Sequence, residues 1–167
     1  MEANNKLSRL VSKINTAPAF LQSFLLSQLF GRAVKFAGTA GIQIQQLNFL
    51  QARLVQKNSR KVQNHIGSVH AAAMALLGES ATGFLVGMHV PDDRLPLLKS
   101  MHLDYVKRAT GQLTAIASLT PDQISQIRAQ EKGEVTVQVQ LLDELGVEPV
   151  LAQFVWAWVP KKRSVSN

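Results

Sequence analysis

Residues 69–90 read VHAAAMALLGESATGFLVGMHV, a long apolar stretch of small residues with no Lys, Arg or Asp and a single carboxylate, Glu79. The pattern predicts a helix over about 68–88, apolar on nearly every side and so in need of cover from other elements. Glu is almost never fully buried without a partner, which makes Glu79 a candidate for chemistry. Just upstream lies the polar run Asn64-His65-Ile66-Gly67-Ser68-Val69-His70. A helix beginning there exposes free backbone N–H groups and the positive end of its dipole. The stretch thus offers a place to polarise an oxygen and a carboxylate able to attack or to deprotonate, the minimum equipment for acyl transfer or hydrolysis. Its length would also span a bilayer. Its Ala, Gly, Glu and His content and its strand-like flanks favour a helix enclosed by a sheet.

Working outward, the period changes. Upstream, Ala19–Phe30 places Phe20, Leu21, Phe24, Leu25 and Leu29 at helical spacing, an amphipathic helix ending near Gly31. From Thr39 the alternation is two-fold, with Ile42 and Ile44 set against Gln43 and Gln45, and a second strand covers 49–57. Downstream, strands are expected over 97–107, 111–119, 133–142 and 148–160, the last with Phe154, Trp156 and Trp158 on one face. A short helix over 121–132 begins with Thr120 as N-cap and Pro121 in its first turn.

The 167 residues are 46% hydrophobic and 17% charged, enough for one domain with a real core. There is no cysteine, which excludes disulfides, thiol nucleophiles and Cys-based metal sites and fits a cytoplasmic location. Eighteen Lys and Arg against eleven Asp and Glu give +7, a balance able to attract nucleic acid, anionic lipid or a polyanion such as coenzyme A. The cations are scattered, apart from Lys161-Lys162-Arg163, and aromatics are not interleaved with them, so neither a nucleic-acid nor a membrane partner is expected. His65 and His70, five apart, fit no metal site, and no metal is expected.

Asn64, His70-Ala71 and Glu79 resemble the N…HGG…D/E signature of the hotdog acyl-CoA thioesterases of the phenylacetate-degradation and hydroxybenzoyl-CoA type, with spacings of seven and eight residues. Asp104-Tyr105-Val106-Lys107-Arg108-Ala109, followed by Gly111, resembles that family's Tyr-Leu-Arg-Pro-Ala…Gly strand and turn. An N-terminal helix, the Thr39–Ile42 segment and Asn-His-Ile-Gly-x-Val-His-Ala are similar to a bacterial branch known as a thioesterase-like domain of unknown function. The resemblance covers roughly residues 20–160.

It implies the α+β class and the hotdog fold, a curved antiparallel sheet wrapped around a long central helix with an extra N-terminal helix. The divisions are a helical extension over 1–36, the hotdog domain over 37–160 and a basic tail over 161–167. It also implies hydrolysis of an acyl-CoA thioester, with coenzyme A as part of the substrate and no separate cofactor. Asn64 would orient the thioester or a water, the Ala71 backbone N–H would bind the thioester oxygen, and Glu79 would be nucleophile or general base. His70 is either a base or a histidine hydrogen-bonded at the helix start. Gly67, Ser100, Tyr105, Lys107 and Arg108 would flank the substrate, the two cations against coenzyme A phosphates or simply in solvent. Two departures stand out. Ala71-Ala72 replaces Gly-Gly, and the position of a hydroxyl found in some relatives falls near Leu98, with Ser100 the nearest hydroxyl. A non-catalytic acyl or acyl-CoA binder is therefore the alternative, and a hotdog dehydratase using His70 the third reading.

Eight residues of one helix separate Ala71 from Glu79 by about 12 Å of rise. They cannot touch one carbonyl from the same chain, so antiparallel central helices of a homodimer, or of a dimer of dimers, are expected to bring them together.

Overall fold

The computed structural model describes residues 4–161. Three helices come first: α1 (Lys6–Ile14), α2 (Ala19–Ala33) and α3 (Lys35–Ala40). Strands β1 (Gln43–Leu47) and β2 (Gln51–Gln56) precede the long α4 (Ala71–Gly87). Then follow β3 (Arg94–Tyr105), β4 (Leu113–Ser118), α5 (Pro121–Ala129), β5 (Gly133–Asp143) and β6 (Val150–Pro160). The strands form one antiparallel sheet in the order β1-β2-β4-β5-β6-β3, curved around α4. This is the hotdog fold.

The core is where the alternation placed it. Phe154, Trp156 and Trp158 of β6, Val135, Val137 and Leu141 of β5, and Leu113, Ala115 and Ala117 of β4 are buried against Met74, Leu77, Ala81 and Leu85 of α4. Glycines on α4 let the aromatic strand approach. A Cβ at Gly78 would stand 2.7 Å from the Phe154 ring, and one at Gly83 2.5 Å from the Trp156 ring. Thr82 accepts from Trp156 Nε1 at 2.9 Å, so the indole's polar edge is satisfied inside the core.

Both ends of α4 are capped. At its start His70 Nδ1 accepts from the Ala72 N–H. At its end the Asn5 side chain donates to the Gly87 and Val90 carbonyls, and Asn4 donates to His89 O, which docks α1 on carbonyls that the helix leaves unpaired. His89, fully buried, bridges Phe49 O in the β1–β2 turn (2.7 Å) and the Arg128 guanidinium of α5 (3.2 Å).

Two expectations in the N-terminal region need correction. Thr39 and Ala40 belong to α3, and the strand begins at Gln43 after Gly41 ends the helix at φ 75°. Six residues are too few to display a helical period, so this turn was invisible as pattern. In α2, Leu26 and Phe30 face the core, while Phe20, Leu21, Phe24 and Leu25 face solvent. The apolar stripe read from spacing is real, but of its members only Leu29 packs against the core. Lys161 donates to Asp92 O; Lys162 and Arg163 lie outside the described residues. Among the described residues no helix is long and apolar enough to cross a membrane.

Candidate active site

The loop before α4 is organised by Asn64. Its Oδ1 accepts from the backbone N–H groups of Ile66 and Ser68, both at 3.1 Å, and its backbone closes the turn through Ser68 O and the Gly67 N–H. Gly67 sits at φ 76°, a conformation that glycine adopts without strain. The Asn64 Nδ2 group has no partner among the described residues. Arg108 clamps the loop from outside, donating to Ile66 O (3.1 Å) and Ser68 Oγ (3.3 Å). Tyr105, at the end of β3, donates its hydroxyl to Ala71 O at 2.9 Å and so fixes the first turn of α4. Burial raises the pKa of that phenol, which keeps it a donor.

At the first helical position the Ala71 N–H has no intrahelical acceptor and none elsewhere among the described residues, and Ala71 is exposed. His70 is exposed, with Nδ1 occupied by the cap.

Two turns further along, Glu79 is half-buried in an open groove of about 530 Å³. Val34, Phe36, Ala72, Ala75, Leu76, Leu98 and Met101 form the rest of its wall, so among the described residues the carboxylate is the one ionisable group there. No Lys, Arg or His among the described residues forms an ion pair with it. Burial raises the Glu79 pKa above the usual carboxylate value, opposed by a long hydrogen bond from Ser80 Oγ (3.4 Å). A carboxyl in this setting is a stronger base than one in water. A second apolar recess of about 240 Å³ shares Phe36, Ala72 and Leu76 with the first, and His70, Gln63 and Lys61 also line it.

The remaining positions fall on either side of this site. A bulge between Leu98 and Ser100 turns Leu98 and Met101 toward the groove, and Ser100 does not line it. Lys107 is exposed, and its ammonium makes no hydrogen bond or ion pair among the described residues. Tyr105 and Arg108 hold the loop and the helix start together, and the phosphate contact expected of Arg108 competes with that clamp. Val34 and Phe36 were not foreseen as wall residues, because they belong to the short α3 region that had no legible period.

The residues from 23 to 159 match a family described as a domain of unknown function, DUF4442. No curated protein matches the chain. Among solved structures, a Pseudomonas aeruginosa protein of unknown function described as a probable thioesterase is 25% identical. The match covers 82% of this chain and 95% of that one, with a TM-score of 0.73. A Haemophilus influenzae thioesterase is 12% identical over 84% and 92% of the two chains, TM-score 0.67. A Staphylococcus aureus thioesterase, solved as a glutamine-to-alanine mutant, is 17% identical over 76% and 100%, TM-score 0.64; a glutamate-to-alanine mutant of the same protein matches equally well. The chain belongs to the DUF4442 family and shares the hotdog fold of these thioesterases.

Proposed function

We propose that this protein hydrolyses an acyl-CoA thioester at a site shared by two copies of the chain. The observation that carries the reading is Glu79, an unpaired carboxylate with a raised pKa on the wall of an apolar groove, in a fold whose named neighbours are thioesterases. The acyl group lies along Leu76, Leu98 and Met101. The thioester oxygen accepts from the Ala71 N–H and the Asn64 amide of one copy, and Glu79 of the other attacks the carbonyl or takes a proton from water. Oriented donors that meet charge only as it develops favour the transition state over the bound ester.

Two features support the second copy. Along one helix the donor and the base are about 12 Å apart. β3 is an open sheet edge, exposing Leu95, Leu97, Met101 and Tyr105. Such an edge is a template for strand pairing, and pairing through β3 also covers the groove that Leu98 and Met101 line. In the two Staphylococcus variants the replaced glutamine and glutamate are fifteen positions apart, the separation of Asn64 and Glu79 here.

A non-catalytic acyl-CoA binder is the second reading, favoured by the Ala72 methyl that lines the groove and by the absence of Ser100 from it. The exposed, cap-bound His70 gives a dehydratase reading little to work with.

A thiol-release assay over short, long and aromatic acyl-CoAs separates the two. We expect turnover of at least one class, and a loss of about 10²–10⁴-fold in kcat for Glu79→Gln with little change in KM. Because an active base must be ionised, the acid limb of the profile should lie above the ordinary carboxylate value of 4.5. Binding of acyl-CoA with no turnover would favour the binder, whereas full activity in Glu79→Gln would remove this carboxylate from the mechanism.

A further inference from the structure

From the solvent-facing side of α2 we infer that this protein docks on anionic phospholipid bilayers, with Phe20 and Phe24 entering the interface. Phe20 is 79% exposed and Phe24 60%, with Leu21 and Leu25 exposed beside them. Side chains of this size are seldom left in water without a partner when they form a continuous patch. Positions 20, 24, 28 and 32 fall on successive turns of one helix face. Phe20, Phe24, Gln28 and Arg32 accordingly line one shallow groove, about 590 Å³, between α2, Gly38 of α3 and the start of β1. Such a face offers aromatic side chains to a lipid interface and a cation to its headgroups.

The charge distribution names the partner. Between residues 3 and 78 there are nine Lys and Arg and no Asp or Glu. From residue 79 onward nine cations meet ten carboxylates, so that part of the sequence carries −1 and residues 1–78, which include the exposed phenylalanines, carry +8. Arg32 and Lys35, at the junction of α2 and α3, are exposed and make no ion pair among the described residues. Phe36, next to them, is 65% exposed. The other obvious cover is a second copy of the chain on this face. A two-fold interface would set the same cationic patch against itself, and like charges brought together oppose association. An anionic lipid surface satisfies the phenylalanines and the cations at once. The inference does not depend on the thioesterase reading, since nothing in it uses Glu79.

Flotation of the full chain with vesicles tests it. Binding is expected on phosphatidylcholine vesicles containing about a third phosphatidylglycerol, weak on phosphatidylcholine alone, and reduced by added salt as surface charge is screened. Phe20→Ser with Phe24→Ser, and separately Arg32→Glu with Lys35→Glu, should each weaken partition about tenfold or more. All four side chains are exposed, so thermal stability should hold. Phe20→Trp adds a direct readout, a blue shift of emission on anionic vesicles against the constant signal of the buried Trp156 and Trp158. Three results would each overturn the inference: no binding to anionic vesicles, undiminished binding of the phenylalanine double variant, or unshifted emission from a Phe20→Trp chain that melts like wild type. So would a fall in sedimentation mass on replacing the two phenylalanines, because the face would then belong to a protein interface.

Discussion

Asn64 divides its side chain between two tasks, and the two can be separated chemically. The Oδ1 atom holds the loop through Ile66 and Ser68, while the Nδ2 group points at no acceptor among the described residues. Asn64→Asp keeps the loop acceptor and removes the donor, whereas Asn64→Ala removes both. If Nδ2 orients the thioester, Asn64→Asp should retain the wild-type melting temperature and lose about tenfold or more in kcat/KM. Asn64→Ala should lose activity and also about 1 kcal/mol of stability, since both hydrogen bonds that hold the loop go with it. An active Asn64→Asp enzyme would reduce Asn64 to a loop residue. Glu79 carries the opposite trade. Its raised pKa means that the folded chain holds a proton more tightly at this carboxyl than the unfolded chain does. Stability from this group is therefore greatest at low pH and falls as pH rises through the folded-state pKa. Glu79→Gln should flatten that slope and melt no lower than wild type near pH 7, while losing activity. Glu79 was legible as a candidate from composition, and Asn64 from the resemblance to the N…HGG…D/E signature. The clamp by Arg108 and the tie from Tyr105 to Ala71 were not, because they join residues forty-two and thirty-four positions apart through side-chain reach that no local pattern encodes.

At the scale of elements, α4 and β6 are matched by shape. Glycine in a helix interior costs about 1 kcal/mol relative to alanine, so Gly83→Ala would stabilise an isolated helix. Here the added methyl meets the Trp156 ring at 2.5 Å, and that ring is buried and tethered to Thr82. Overpacking costs about 1–3 kcal/mol, and the net effect should be destabilisation, read as a lower urea midpoint with unchanged m. A midpoint at or above wild type would mean that the indole moves freely. His89 couples three elements: α4, the β1–β2 turn and α5. Burial pushes its pKa down to about 4; the Phe49 carbonyl opposes this and the Arg128 charge adds to it. Between pH 6.5 and about 4 the unfolded chain takes up a proton that the folded chain refuses. Stability should fall with pH across that window by up to about 1.4 kcal/mol per unit. The urea midpoint against pH checks the slope, and NMR should find the His89 ring neutral at about pH 5.

The strands β4, β5 and β6 could be read from two-fold alternation because one face packs on α4 and the other meets solvent. α2 misled for an equally physical reason. Periodicity locates an apolar stripe but not what covers it, and here Phe20, Leu21, Phe24 and Leu25 point outward.

As a whole, the molecule is open along one side. α4 is bare along Ala71, Ala72, Ala75, Leu76 and Glu79, and this strip adjoins the edge strand β3. In the proposed dimer a second copy would pair edge to edge along β3 and bring a helix start toward a foreign Glu79. Each such dimer would hold two sites, each drawing Asn64 and Ala71 from one chain and Glu79 from the other. Subunit complementation measures this directly. Differently tagged Asn64→Asp and Glu79→Gln chains are co-expressed, the mixed dimer is purified through both tags, and thiol release is compared with each parent homodimer. With sites shared in this way, one site of the mixed dimer is fully wild type, and about half of the wild-type rate should return. A mixed dimer as inactive as its parents would place both residues in one chain's site and contradict the shared thioesterase centre.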